Sequence, residues 1–398
     1  MSALAAVLLV GLVDESAWFL PFGALESFRA DLDLSYRQAG TVLALVAPGE
    51  LVGGVFSAAA DRYSRRVIAA GGAFGFAASL AMFALGGSFW PLALAAFLMG
   101  IASTAMVEAA QVALVDLAGE DLRPFLARSN LLGVIGGLLG PALLGVVAAL
   151  GLSWRAAFWA ASALLCGYGV ALAGVPLPSP APAPTEGDPD APRSTLVAVV
   201  RDPAVWVVGF MGLVLGVFDE PLNGFTIALL EQDRGASTSV AALVAMVGVS
   251  GGLLSYTVLA RRLETVAEHR LLVGSAVAMA VGAVMVALVP ILVVVALASF
   301  VIAVGLNLAW LAVQHRSLTL RPGQVGTTSA VLGAIETCGF WVPSAIGAVA
   351  DRVGLASAVG AFAVLGAVLA VLALAEGSGS APLRTRHRSS SDHRSPSP

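Results

Sequence analysis

Seven carboxylic acids stand inside long apolar stretches of this chain: Asp14, Glu15, Glu50, Glu108, Asp219, Glu220 and Glu336. No arginine lies at comparable depth, and the sequence contains no lysine at all. A carboxyl group taken out of water without a cation is held more easily in its neutral form, so it can trade protons or bind a cation. Four of the acids form two pairs at equivalent places. Asp14 and Glu15 follow Gly11, Leu12 and Val13, while Asp219 and Glu220 follow Gly216, Val217 and Phe218. Four residues on, Trp18 and Asn223 share helix faces with the two aspartates. Glu108 is one turn from Thr104 and Gln111, and Trp310 is one turn from Gln314. Glu336 is set near Asn307 by the equivalence of their stretches. These residues together predict an acidic cavity that exchanges protons, with aromatic and amide groups for an amphiphilic ligand. Glu50, beside Pro48 and Gly49, reads equally as hydrogen-bonded glue between helices.

The pairs belong to a longer repeat, offset by about 205 residues. Glu26 and Arg29 are answered by Glu231 and Arg234, Gln111 by Gln314, and Leu122-Arg123-Pro124 by Leu320-Arg321-Pro322. Gly133, Pro141 and Gly145 recur as Gly333, Pro343 and Gly347. Two like halves with buried acids at matching positions predict a secondary carrier whose repeats rock about a midplane site.

The positioning elements must be membrane helices. Apolar residues make up 58% of the chain and charged ones only 12%, where soluble domains carry about a quarter. Runs of about 20 apolar residues match a hydrocarbon layer of about 30 Å. Such runs fall near 3–25, 38–60, 67–87, 90–113, 129–150, 155–175, 203–229, 239–260, 270–288, 290–313, 325–349 and 354–376. All are expected as helices, since an isolated strand would leave backbone groups unpaired in lipid. The expected fold is therefore an all-α membrane protein of twelve spans, with six-helix bundles at 1–175 and 201–376. Prolines between Pro176 and Arg193 end the sixth span and predict an extended linker over 176–200. Residues 377–398, rich in Ser, Arg, His and Pro, are expected to form a disordered tail.

Several function classes are excluded. A lysine-free chain has no Walker A loop, and neither a GxSxG elbow nor an HExxH pair occurs. Hence no enzyme activity, cofactor or metal is expected. Two cysteines, Cys166 and Cys338, support neither a disulfide framework nor a zinc site. A net charge of −4 gives no reason to expect nucleic acid as a partner. The expected partners are a small-molecule substrate, protons and the lipid bilayer, with the protein as a monomer. No positive n-region precedes the first span, which reads as a signal anchor.

After the second span, Ser57 is followed, after three intervening residues, by Asp61, then by Arg62, Ser64, Arg65 and Arg66. This resembles the loop signature of the major facilitator superfamily, with serine where that family usually has glycine at 57 and 64. The resemblance implies a latch, in which Asp61 pairs with arginines and a helix end to hold one closed state. In the fifth span, Gly136, Gly140, Pro141 and Gly145 are similar to the family's antiporter motif, with Leu144 replacing a glycine. Glycines four apart make a helix-packing groove, and Pro141 frees a carbonyl. Ala96 stands where many proton-driven members carry an arginine, four residues before Gly100, so a relay through that arginine is excluded. Within the family, the start of each half and the stretch Asp31 to Gly40 look most like drug- and fosmidomycin-resistance exporters. The resemblance implies export of a cationic or neutral amphiphilic compound by alternating access. A proton symporter importing a nutrient and a transporter-like sensor are the alternatives.

Orientation is also legible. With the N-terminus in the cytoplasm, 16 arginines fall in inner loops and the tail, against five outside: Arg29, Arg37, Arg155, Arg234 and Arg352. Positive residues are retained inside, which predicts both termini in the cytoplasm of a bacterial inner membrane. A C-terminal fusion should therefore fluoresce as green fluorescent protein and be inactive as alkaline phosphatase. The reverse pattern would refute this topology.

Overall fold

The computed structural model describes residues 2–60, 63–118, 122–178, 196–259, 266–321 and 325–379. Among them, twelve helices are long and apolar enough to cross a membrane. The first half holds α1 (Ala3–Gly23), α2 (Tyr36–Phe56), α3 (Arg65–Leu85), α4 (Phe89–Leu114), α5 (Arg128–Ala149) and α6 (Arg155–Ala173). The second holds α7 (Pro203–Gln232), α8 (Thr238–Val258), α9 (Glu268–Leu288), α10 (Leu292–Ser317), α11 (Val331–Val353) and α12 (Leu355–Ala375). The outer faces of α9, α10 and α12 expose Val281, Leu288, Val293, Leu297, Val364 and Val371. Such a continuous apolar surface is tolerable only against lipid.

Proline accounts for three of the helix breaks. A proline has no N–H and crowds the carbonyl four residues earlier. Pro48 parts α2 between Ala44 and Val46. Pro221 parts α7 at Asp219, and Pro343 parts α11 between Thr337 and Val342. Pro21 and Pro141 instead lie within continuous helix.

The repeat is visible in the packing. Inside the first half, α1 packs on α5, α2 on α4, and α3 on both α4 and α6. The equivalent pairs in the second half are α7 with α11, α8 with α10, and α9 with α10 and α12. The halves meet reciprocally, α2 against α11 and α5 against α8.

An even number of crossings brings both chain ends to one side, the terminal face. At the opposite face the halves are bonded together. Glu26, only 3% exposed, accepts from Arg29 at 2.7 and 2.9 Å, from the Tyr36 hydroxyl at 2.8 Å and from Gln232 of the second half at 2.7 Å. Hydrogen bonding to Glu26 pushes the Arg29 guanidinium above its ordinary value, and that guanidinium lies 4.5 Å from the Tyr36 ring centre. Asp351 on α11 accepts from the Tyr36 and Arg37 amides at 2.8 and 2.9 Å, which caps the N-terminus of α2 across the interface. The Thr41 and Ser344 hydroxyls meet at 2.7 Å, and Ser239 donates to the Gly145 carbonyl at 3.1 Å.

The repeat is imperfect at one ion pair, and helix reaches into the expected tail and linker. Arg234 does not pair with Glu231 as Arg29 pairs with Glu26; it donates to the Val286 and Ala287 carbonyls at the end of α9. Helix continues past Gly377 to Gly379, since nothing before residue 380 breaks it. The linker ends in a short helix, Leu196–Val200, because its prolines stop at 192. Asp61 and Arg62 lie outside the described residues, as do 179–195 and 380–398.

The α2–α11 crossing is backbone against backbone. A Cβ on Gly40 would fall 2.3 Å from the Pro343 carbonyl oxygen, and one on Gly347 would fall 2.3 Å from that of Tyr36. Gly347→Val should therefore wedge the opposite face open, costing the closed arrangement about 1–3 kcal/mol. Spin labels at Ala30 and Asp233 should report a longer distance in the variant. An unchanged distance would mean that the crossing does not hold this face shut.

Candidate functional site

The central carboxylates are placed by α1 and α7. Asp14 is buried and accepts from the Ser103 hydroxyl of α4 at 2.6 Å. Asp219 occupies the break in α7, and Glu220 begins the following helix. Glu15 lies within electrostatic reach of Asp14 and Asp219, and Glu220 within reach of Asp219, Glu15 and Glu50. The acids of the two repeats thus share one field at the centre of the molecule.

Around them the interior divides into two lobes, with Asp14, Glu15, Val107, Glu220 and Trp310 as shared walls. The larger lobe, about 970 Å³, lies on the α2–α11 side and takes in Trp18, Glu50, Thr104, Glu108 and Glu336. Glu336 fits because α7 carries a glycine opposite it: a Cβ on Gly212 would sit 2.2 Å from Glu336 Oε1. The smaller lobe, about 310 Å³, lies on the α5–α8 side and takes in Gln111, Asp219, Asn223, Asn307 and Gln314. The larger lobe reaches Gly54 and Val55 near the terminal end of α2, the smaller one Ser129 and Gln314 near the terminal ends of α5 and α10. Among the described residues, no basic side chain lines either lobe.

The residues singled out in the sequence for the cavity all lie along one lobe or the other, in a different grouping. Gln111 is separated from Glu108 and Thr104, because adjacent faces of α4 look into different lobes. Glu336 and Asn307 likewise lie in different lobes. Sequence reasoning missed Ser103, Ser129, Asn130 and Tyr256. Ser129 and Asn130 stand directly beside Arg128, where a helix end masks their inward direction.

The profile of the Major Facilitator Superfamily matches residues 7–342. The chain belongs to the major facilitator superfamily. It is accordingly a multi-pass secondary transporter of small molecules rather than an enzyme. Solved structures agree in fold. The nucleoside transporter NupG superposes with a TM-score of 0.75 at 15% identity, over 94% of this chain and 99% of that one. A bacterial homologue of the human lysosomal transporter Spinster, inward-facing and occupied, gives 0.71 at 18% identity, over 94% and 96%. A D-xylose–proton symporter gives 0.70 at 16%, over 93% and 95%. No curated protein sequence matches the chain.

Two family elements have defined surroundings. In the loop signature, Ser64 precedes α3 with φ −60°, so no glycine is required there. Arg65 is buried and pairs with Asp116 in the last turn of the helix Phe89–Ala118 that contains α4, a brace inside the first half, whereas Arg66 is exposed. In α5, a Cβ on Gly136 would meet the Leu12 carbonyl oxygen at 2.4 Å, and one on Gly140 would meet Phe19 Cβ at 2.8 Å. Gly145 faces Ala242 of α8 instead. The glycine series of this transporter thus seats α5 against the carboxylate-bearing α1 on one side and against α8 on the other.

Proposed function

We propose that this superfamily member exports a small organic cation, or a neutral amphiphile, in exchange for protons across a bacterial inner membrane, with both termini in the cytoplasm. The observation that carries the reading is the lining of the lobes, which are acidic on both sides and free of basic side chains among the described residues. In a low-dielectric cleft a cation gains from that field, whereas an anion meets repulsion in addition to desolvation. A proton and a cation compete for the same carboxylates, which gives exchange without further machinery. Export draws on the resemblance of the α5 glycine series to the antiporter motif and, more loosely, of the chain to drug- and fosmidomycin-resistance exporters. With cytoplasmic termini, the lobes reach toward the cytoplasm while the far side is bonded shut, an arrangement suited to loading a substrate for export. A latch at Asp61, Arg62, Arg65 and Arg66 would stabilise the alternate state, with the cytoplasmic side closed. Import by proton symport is the second reading, favoured by the likeness in fold to a D-xylose–proton symporter.

Competition has a definite sign. The cation binds the deprotonated carboxylates, so a lipophilic cation should bind more tightly as pH rises from about 6 to about 8, releasing protons as it binds. Calorimetry in buffers of different ionisation enthalpy measures that release. Tighter binding of anions, or binding without proton release, would sink the cation exporter and bring symport forward; binding with no flux in proteoliposomes would mark a sensor.

Asp14→Asn and Asp219→Asn test the coupling. Each should lower flux driven by a pH gradient by about tenfold or more, as loss of a proton-transfer group does, with expression retained. Normal pH dependence in both variants would leave the two aspartates a structural role only.

A further inference from the structure

The two lobes differ in chemistry, and the difference bears on what the substrate looks like. The α2–α11 lobe combines its acids with apolar wall from Leu43, Val46, Val55 and Phe340. The α5–α8 lobe contains five side-chain amides, from Gln111, Asn130, Asn223, Asn307 and Gln314, together with the Tyr256 hydroxyl. These come from α4, α5, α7, α8 and α10, so both halves contribute. Asn307 donates to the Ala303 carbonyl of its own helix at 2.8 Å and packs on Gly252. The side chains of Gln111, Asn130, Asn223 and Gln314 make no hydrogen bond with any described residue, although all four lie within one lobe of about 310 Å³. A primary amide presents two donors and an acceptor oxygen with two lone pairs, and here these stand open to the cavity, free to pair with a ligand. Four such groups converging on one small cavity make a surface that rewards a ligand carrying both donors and acceptors.

We propose that the α5–α8 lobe is a hydrogen-bonding subsite, so that the substrate is an amine joined to an uncharged group rich in hydroxyls or amides. This rests on the reading of the cavity as a cation site. The ammonium would stand at the shared wall of Asp14, Glu15 and Glu220, with the polar group in the amide lobe and any apolar part toward α2 and α11. A lobe of about 310 Å³ lies at the lower end of small-molecule sites, about 300–1,000 Å³, and suits one ring-sized group. A purely apolar cation would leave the amides unpaired where they meet it. A site built to hydrogen-bond its ligand discriminates strongly against analogues that cannot do so.

Displacement of ethidium, followed by fluorescence polarisation on the detergent-purified protein, tests this with three competitors. Glucosamine carries an amine and hydroxyls, cyclohexylammonium only the amine, and glucose only the hydroxyls. Glucosamine should displace ethidium at lower concentration than either of the others. The double variant Gln111→Leu, Asn223→Leu should cut the advantage of glucosamine over cyclohexylammonium about tenfold or more, and Gln111→Asn, Asn223→Gln should restore part of it. If cyclohexylammonium matches glucosamine on the wild-type protein, or the advantage survives the leucine variant, the subsite proposal is overturned and the cation reading stands. If neither ethidium nor cyclohexylammonium binds the wild-type protein saturably, the cation reading falls and takes the subsite with it.

Discussion

A carboxylate that faces neither lipid nor a base must face water, a proton or a cation, and the interior of this transporter is arranged around that constraint. Asp14, Glu15, Asp219 and Glu220 sit at the middle of the two helices that begin the halves, where lipid contact would be most expensive. The surrounding helices have to enclose a polar cavity and keep it away from hydrocarbon. Ser103 supplies a hydroxyl that Asp14 accepts from, and Gly212 leaves the room that Glu336 needs. The break at Asp219 lies against the same interior, where Asp219 lines the smaller lobe. Glycines at 136 and 140 let α5 come close enough to α1 to wall the cavity off.

The repeat explains the frame, and its imperfections explain the two sides. The neighbours within each half correspond helix by helix. At the opposite face the correspondence fails. Glu26 gathers Arg29, Tyr36 and Gln232, while its counterpart Glu231 lacks the equivalent arginine because Arg234 turns to the end of α9. At this joint each half supplies a carboxylate that accepts from the other, Glu26 from Gln232 and Asp351 from the Tyr36 and Arg37 amides, through contacts that the repeat does not duplicate. The lobes are unequal for the same reason. Asn130 stands opposite no amide in its repeat position, and Glu50 has no acidic partner in α8.

Much of this was legible from residue types alone. Twelve apolar runs, the paired acids and the glycine spacing carry their meaning within a single helix, so the sequence was enough to anticipate the spans, the acidic cavity and the packing groove. What it concealed depends on relations between helices. Glu108 and Gln111 share a turn yet look into different lobes, because the wall between the lobes is made by α1 and α7, far away in sequence. The role of Asp351 as a cap for α2 joins residues more than 300 positions apart and has no local signal. Pro221 could have announced the break in α7, since its clash with a preceding carbonyl is a local effect. Arg65 reads from the motif as part of a loop latch, while its ion pair with Asp116 requires knowing that α3 and α4 lie side by side.

The crossing of α2 over α11 has a thermodynamic consequence. At Gly40 and Gly347 the contact is made by main-chain atoms, with the Pro343 and Tyr36 carbonyls as the opposing surfaces. Around it are carboxylates, hydroxyls and amides: Glu26, Gln232, Asp351, Thr41 and Ser344. Each group uncovered is one that water can solvate, so bonds lost between the halves are largely replaced by bonds to water. Opening this face therefore exchanges polar contacts between the halves for contacts with water, which lowers the net cost of losing them.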